Sequence, residues 1–508
     1  MNNQEKIALA KNALVNVARG GAAAFIAMLL PPFLTRLMSS DSYGAWSLVL
    51  QISAFVGYLD FGLQTAIGRF FAQARENRET QHRDQIVNTS VTLLVAAGVV
   101  GAIGCATLAY LMPRIFHQIP SSLLRDARLS LIFVGVSLAV GLPASVFNGI
   151  FVGLQRYEIP AVVIGCSRLL SAVLVIAIAK YGGNLAMMGV VVAAINVMSY
   201  VLQYVLYRKF APRVRFSWGF VSRNTAHELF DYCMSLSIWS FAMLLVSGLD
   251  VSLVGYFEFD KVAYYSVAAT LVLFVAGLQN ALFHVLIPST AILQARGNSG
   301  ELGSMMITST RYGSFVLLLV GLPLMLAAKK VLTVWVGPAY AVEGARILQV
   351  LTVANMIRLS SVPYVMTLVG TGQQRLVTVT PILEGVTNLL VSVVAGSFFG
   401  ALGIAIGTLV GGFVGVMGNL VYNMPRTVDF KFKIADYVRD GLFRPLICAL
   451  PLLLVVFSFR IMEIPLLSLG YMSVGAAIVA TCLLVWYFGL AESEREKLRS
   501  YCIAIETR

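Results

Sequence analysis

Runs of about 20 apolar residues recur from one end of this chain to the other, each ending at a charged or Gly/Pro-containing break. That length matches the hydrocarbon core of a bilayer crossed by a helix. Lipid offers no partner to a bare backbone amide, so each run must be a helix or part of a closed barrel. The runs do not alternate apolar with polar, which points to helices. The expected class is an all-α polytopic membrane protein. Of the 508 residues, 58% are apolar and 12% charged, which excludes an ordinary soluble globule.

The breaks delimit about fourteen transmembrane helices, near 13 to 37, 43 to 68, 87 to 112, 128 to 152, 159 to 179, 185 to 207, 233 to 256, 262 to 292, 304 to 328, 346 to 369, 376 to 399, 401 to 424, 443 to 459 and 466 to 489. With both termini cytoplasmic, 23 of the 37 Lys and Arg residues fall inside, 10 outside and 4 within spans, which sets the expected orientation. The net charge of +13 comes from short loops, chiefly "YRKFAPRVRFSWGFVSRN" and "PRTVDFKFKIADYVRDGLFR". It reads as a topology signal with attraction to anionic lipid headgroups, and not as a nucleic-acid surface. The polar start "MNNQEKIALAK" and the lack of a cleavage site lead us to expect no signal peptide. The six cysteines show no paired spacing, and disulfides and structural zinc are not expected.

Two half-chains echo each other. Gln73-Ala-Arg75 follows helix 2 as Gln294-Ala-Arg296 follows helix 8, and Gly153, Gln155 and Arg156 after helix 4 match Gly372, Gln374 and Arg375 after helix 10. Six is an even number of crossings, so a second copy re-enters with the same orientation, a parallel repeat suited to alternating access. The expected organisation is an N-lobe over 1–210 (helices 1–6), a basic cytoplasmic linker over 211–232 and a C-lobe over 233–425 (helices 7–12). A basic cytoplasmic loop over 426–442, helices 13 and 14 over 443–490 and a cytoplasmic tail over 491–508 complete it.

"LPPFLTRLMSSDSYGAWSLVLQISAFVGYLDFGLQTAIGRFFA", with Tyr43-Gly44 and Leu59-Asp60-Phe61-Gly62-Leu63, resembles the opening of the polysaccharide transporter family. These are bacterial flippases for lipid-linked oligosaccharides in the multidrug/oligosaccharidyl-lipid/polysaccharide (MOP, MATE-like) superfamily. Trp335, Gly337 and Tyr340 are similar to the family's exterior loop, and Gly400-Ala-Leu-Gly403-Ile-Ala-Ile-Gly407-Thr408 to the opening of its helix 12. The resemblance spans roughly residues 10 to 425. It implies two six-helix lobes plus two C-terminal helices, a cationic central cavity and no enzymatic activity. It also implies movement of an undecaprenyl-pyrophosphate-linked repeat across the bacterial inner membrane for O-antigen, capsule or exopolysaccharide assembly. The implied partners are the lipid-linked oligosaccharide, membrane lipids, a polysaccharide polymerase, a chain-length regulator, and H+ or Na+ as coupling ion. No cofactor is expected.

Arg19, Arg168, Arg311 and Arg358 fall within spans, where each costs at least ~2.5 kcal/mol to insert and so should face the interior or water. A guanidinium is a permanent planar fork for pyrophosphate, which makes these four the candidate substrate site; the alternative is an arginine paired with a buried acid. Asp60, Asp250 and Glu384 are the candidate coupling carboxylates, with a salt bridge to those arginines as the competing role. Intramembrane amides, Asn388 among them, and prolines such as Pro31-Pro32 punctuate the spans. No phosphate-binding loop is present, and the four histidines lack metal spacing. The alternatives are a MATE-like small-molecule exporter, a lipid II-type peptidoglycan precursor flippase, and a membrane polymerase or ligase, the last disfavoured by the shortness of every exterior loop.

Overall fold

The computed structural model describes residues 25, 27–211, 214–373, 378–427, 431–462, 469–490, 492 and 494–496. Among them no strand occurs. The helices are α1 (Ala27–Leu37), α2 (Ser40–Glu76), α3 (Thr80–Ile115), α4 (Ser121–Gly153), α5 (Glu158–Lys180) and α6 (Leu185–Phe210). Next, α7 runs from Arg223–Met243 through a π turn at Leu244–Gly248 into Asp250–Phe257. Then come α8 (Phe259–Ala295), α9 (Ser299–Leu326) and α10, made of Ala341–Leu359 and Val362–Gly370. The segment Val379–Gly418 is helical on both sides of Gly400, whose φ 55°, ψ −133° divides it into α11 (379–399) and α12 (401–418). Arg444–Met462 is α13, and Leu469–Leu484 is α14.

Among the described residues, eight helices are long and apolar enough to cross a membrane, or nine with the pair Arg223–Met234 and Leu236–Gly248, which meet at 46°. The fourteen expected from the sequence and these eight differ for physical reasons. Val379–Arg426 counts once although it is broken at Gly400, and α10 is split at its middle. Most of the expected first span, 13 to 37, lies outside the described residues and is not part of this count.

Gly400 turns the chain because it has no Cβ to clash at positive φ. The glycines that follow then face α11 in strict antiparallel register. A Cβ on Gly411 would lie 2.8 Å from the Cβ of Asn388, one on Gly415 2.9 Å from the carboxyl carbon of Glu384, and one on Gly418 2.6 Å from Thr380. Gly403 and Gly407 meet Ala395 and Ser392 in the same way. This seam lets two backbones approach closely, as small residues do between helices in lipid. Glu258, at the end of α7, accepts the backbone N–H of Ala401 at 2.8 Å and so satisfies one orphan donor at the start of α12.

The repeat has a structural counterpart. Helix α2 is broken at 59–62, where Phe61 and Gly62 take positive φ, and α8 is broken at 284–285. Both second halves end in Gln-Ala-Arg. In the first lobe a Cβ on Gly153 of α4 would lie 2.8 Å from the carbonyl oxygen of Gly68 on α2; in the second, one on Gly370 of α10 would lie 2.5 Å from that of Ile287 on α8.

Three apolar cores hold the helices. One core, containing Tyr43, Trp46, Phe116, Leu185, Phe259, Tyr340 and Ala401, joins both lobes at the end that carries the turns near 39, 118, 182 and 259. At the opposite end the first lobe has its own core around Phe71, Phe151 and Tyr207, and the second another around Leu302, Tyr364 and Tyr437. The first half of α7 contributes Leu229 and Cys233 to the first lobe's core, and its second half packs on α11. The lobes therefore share one apolar core at one end and have separate cores at the other, where α7 crosses between them.

If the seam holds α11 to α12, Gly411→Leu will overpack it at a cost of about 1–3 kcal/mol or more. Gly300→Leu, where a side chain meets open space, will cost far less. Thermal melting of the purified variants checks this; equal melting temperatures would refute it.

Candidate functional site

The π turn in α7 lengthens the hydrogen-bond ring by one residue and leaves carbonyls out of the α ladder. Side-chain amides from both lobes take them. Asn388 Nδ2 on α11 donates to the Val246 oxygen at 2.6 Å and the Leu245 oxygen at 3.5 Å, and Gln51 Nε2 on α2 donates to the Gly248 oxygen at 2.5 Å. One turn thus touches both lobes through hydrogen bonds.

Asp250 follows that turn and is 7% exposed. Its Oδ2 accepts the Tyr265 hydroxyl at 3.2 Å and that of Thr408 at 3.3 Å, and Arg358 and Asn388 act on it from close by. Asn388 Oδ1 in turn accepts from Ser392 at 2.9 Å. Glu384, 8% exposed, lies one helical turn before Asn388 on α11, with its Oε1 3.0 Å from Arg358 Nε. The separation is that of an ion pair, but the alignment is too poor for a hydrogen bond, which leaves Glu384 Oε1 without one. We therefore read it as a charge contact. The absence of a Cβ at Gly415 makes the space that the Glu384 carboxyl occupies.

This cluster holds two buried carboxylates and one guanidinium, a net charge of −1. Burying an uncompensated charge costs several kcal/mol, so the cluster favours uptake of one proton or one monovalent cation. Hydroxyl, amide and carboxylate oxygens are the right donors for a hard cation. Among the described residues no group of three or more His, Cys, Asp or Glu could hold a metal ion.

The other expected site residues are dispersed. Arg311 on α9 pairs with Glu494, both largely buried, and so ties the helix to the C-terminal segment. Asp60 lies in the break of α2. There its carboxylate accepts the Gln64 backbone N–H and the Ser145 hydroxyl, each at 3.4 Å, beginning the second half of the helix. Arg168 on α5 is exposed and lines a cavity of the first lobe, with no ion-pair or hydrogen-bond partner among the described residues. Arg19 lies outside the described residues. The structure thus brings together Asp250, Arg358 and Glu384, and adds Tyr265, Thr408, Ser392 and Gln51, which the sequence reading had not singled out for a site. The four-residue glycine spacing in α12 was the available signal, because it marks where α11 can bury polar side chains.

Residues 9–294 match the profile of the polysaccharide biosynthesis protein family. The chain belongs to that family. No curated protein sequence matches it. Among solved structures it is similar to the lipid II flippase MurJ in an inward closed conformation, at 12% identity and a TM-score of 0.69, covering 95% of this chain and 98% of that one. It is also similar to an inward-facing multidrug resistance MATE transporter of the MOP superfamily (17% identity, TM-score 0.59, 82% and 99% covered). A MOP superfamily transporter from Pyrococcus furiosus matches at 14% identity and a TM-score of 0.56, with 85% and 96% covered. The family member therefore has the MOP fold and is a multi-pass membrane protein.

Removing Arg358 strands Glu384 as a buried unpaired charge, so Arg358→Ala should destabilise the protein by about 3–5 kcal/mol. Arg358→Ala with Glu384→Gln should recover most of that loss. Melting of the single and double variants measures the coupling; additive effects would contradict the pair.

Proposed function

We propose that the protein is an inner-membrane flippase that moves an undecaprenyl-pyrophosphate-linked oligosaccharide repeat from the cytoplasmic to the periplasmic leaflet for surface polysaccharide assembly. Membership of the polysaccharide biosynthesis family supports the substrate class. The observation that carries the mechanism is the α7 π turn, bonded on one side to the ion-favouring cluster and on the other to the first lobe.

The cycle follows from that connection. With both termini cytoplasmic, the joined end of the lobes faces outward and the separated end faces the cytoplasm, where the substrate is made. Uptake of a proton or Na+ by the Asp250 and Glu384 cluster neutralises its net charge and lets Asn388 reorient from the carbonyls of Leu245 and Val246. The π turn then shifts against Gln51, and the lobes rock so that the outer core opens and the inner ends close. An equilibrium moves only by the ligand's differential affinity for its two states, so the ion must bind one lobe arrangement better. A tenfold difference supplies about 1.4 kcal/mol. Arg168 and Arg19 are the groups we assign to attracting the anionic substrate, while Arg358 and Arg311 face Glu384 and Glu494. A polymerase and chain-length regulator would take up the product.

Deleting the protein from its host will remove the surface polysaccharide and leave lipid-linked repeats in the cytoplasmic leaflet, where leaflet-specific labelling detects them. Repeats still reaching the periplasm, with no other flippase present, would sink the assignment.

A further inference from the structure

The first lobe contains a cavity of about 510 Å³, bounded by α1, α2, α4, α5 and α6. Among the described residues, Arg168 is its only charged lining residue and no acid lines it. Three neighbours in the wall carry buried polar atoms with no hydrogen-bond partner among the described residues: Trp46 Nε1, Asn148 Oδ1 and Gln203 Oε1. Trp46 and Gln203 are each 2% exposed, and Asn148 is 8% exposed. Such atoms each cost about 1–3 kcal/mol when left unpaired, so three beside one cavity mark a place where something else completes the bonding.

The chemistry of that completion is readable. A guanidinium without a counter-ion inside a span takes a carboxylate or phosphate through paired N–H donors. The two amide oxygens need O–H donors, and the indole N–H needs an acceptor. A hydroxyl is both, and it serves an amide turned either way. The volume falls within the range of small-ligand sites. Tyr200, in the same wall, holds its ring in the space left by the missing Cβ of Gly141, which fixes one side of the cavity.

We infer that this cavity, set by Arg168, Trp46, Asn148 and Gln203, is a binding site for a hydroxylated sugar carrying a negative charge. The inference rests on the flippase reading for the source of that sugar, either an acidic sugar of the repeat or the phosphate-bearing sugar next to the lipid carrier. The site lies within one lobe, apart from the Arg358 cluster, so the glycan would be gripped by the first lobe while the second senses the ion.

Trp46 supplies the readout. Purified full-length protein is titrated with galacturonate, galactose 1-phosphate, galactose and inorganic phosphate while tryptophan emission is followed. Galacturonate or galactose 1-phosphate should change the emission saturably, and whichever binds more tightly identifies the source. Trp46→Phe should remove the signal. Arg168→Leu should weaken the charged sugars at least about tenfold and Arg168→Lys by less, because lysine keeps charge without the fork. Gln203→Leu, which leaves the charge in place, should weaken both sugars relative to phosphate. The inference is overturned if neither charged sugar binds, if inorganic phosphate binds as tightly as they do, or if Arg168→Leu changes nothing. Full-rate translocation of an acidic repeat by Arg168→Leu would overturn the site's role in transport while leaving the flippase reading standing. A wild-type protein that binds the sugars but translocates no repeat would instead defeat the flippase reading alone.

Discussion

Asp250 and Glu384 lie deep in a protein surrounded by lipid, and everything around them is arranged so that two carboxylates can be there. A buried charge is tolerated only when other polar groups replace its water. The glycine seam of α12 provides the room, Arg358 supplies one positive charge, and Tyr265 and Thr408 donate to Asp250. The compensation stops one charge short. In the cycle we propose, that deficit makes the cluster the sensor for a small cation, and the π turn in α7, bonded to both lobes, is the connection to the opposite lobe.

Stability and the proposed function therefore rest on the same residues in the second lobe. Glycines that would be costly in an ordinary helix hold α11 and α12 together and also expose backbone and carboxylate to each other. The Arg358–Glu384 pair is both a structural contact and part of the charge balance. The first lobe is built differently: among the described residues its Arg168 is unpaired, and the amide oxygens of Asn148 and Gln203 and the indole N–H of Trp46 lack partners, which is the basis of the ligand site we infer there.

Much of this was legible before any coordinates. Apolar run lengths specify spanning helices because the bilayer is a demanding solvent, and the Gln-Ala-Arg echoes at 73–75 and 294–296 point to a repeat that reappears as two similarly broken helices. The charged residues inside spans were visible as costly anomalies. Their pairing was not, because Arg358 and Glu384 stand on different helices and only the α11–α12 hairpin decides which faces meet. Asp60 is visible in the sequence as an intramembrane acid, but its bonds to Gln64 and Ser145, which place it in the turn that breaks α2, depend on the fold. Gln51 carried no sequence signal, since its significance lies in a carbonyl that only a π turn exposes. The boundary at Gly400 was legible too, since the hydropathy pattern already separates a span ending at 399 from one starting at 401, and Gly400 is where α11 turns into α12.

The central claim is that cation occupancy of the Asp250–Glu384 cluster drives lobe movement and so lipid translocation. The most direct measurement reconstitutes the purified protein in liposomes with a lipid-linked repeat and follows its transfer between leaflets under an imposed H+ or Na+ gradient. The account predicts transfer that rises with one of those gradients and loses that dependence in Asp250→Asn and in Glu384→Gln. Transfer indifferent to both gradients, or equally gradient-driven in both variants, would contradict it.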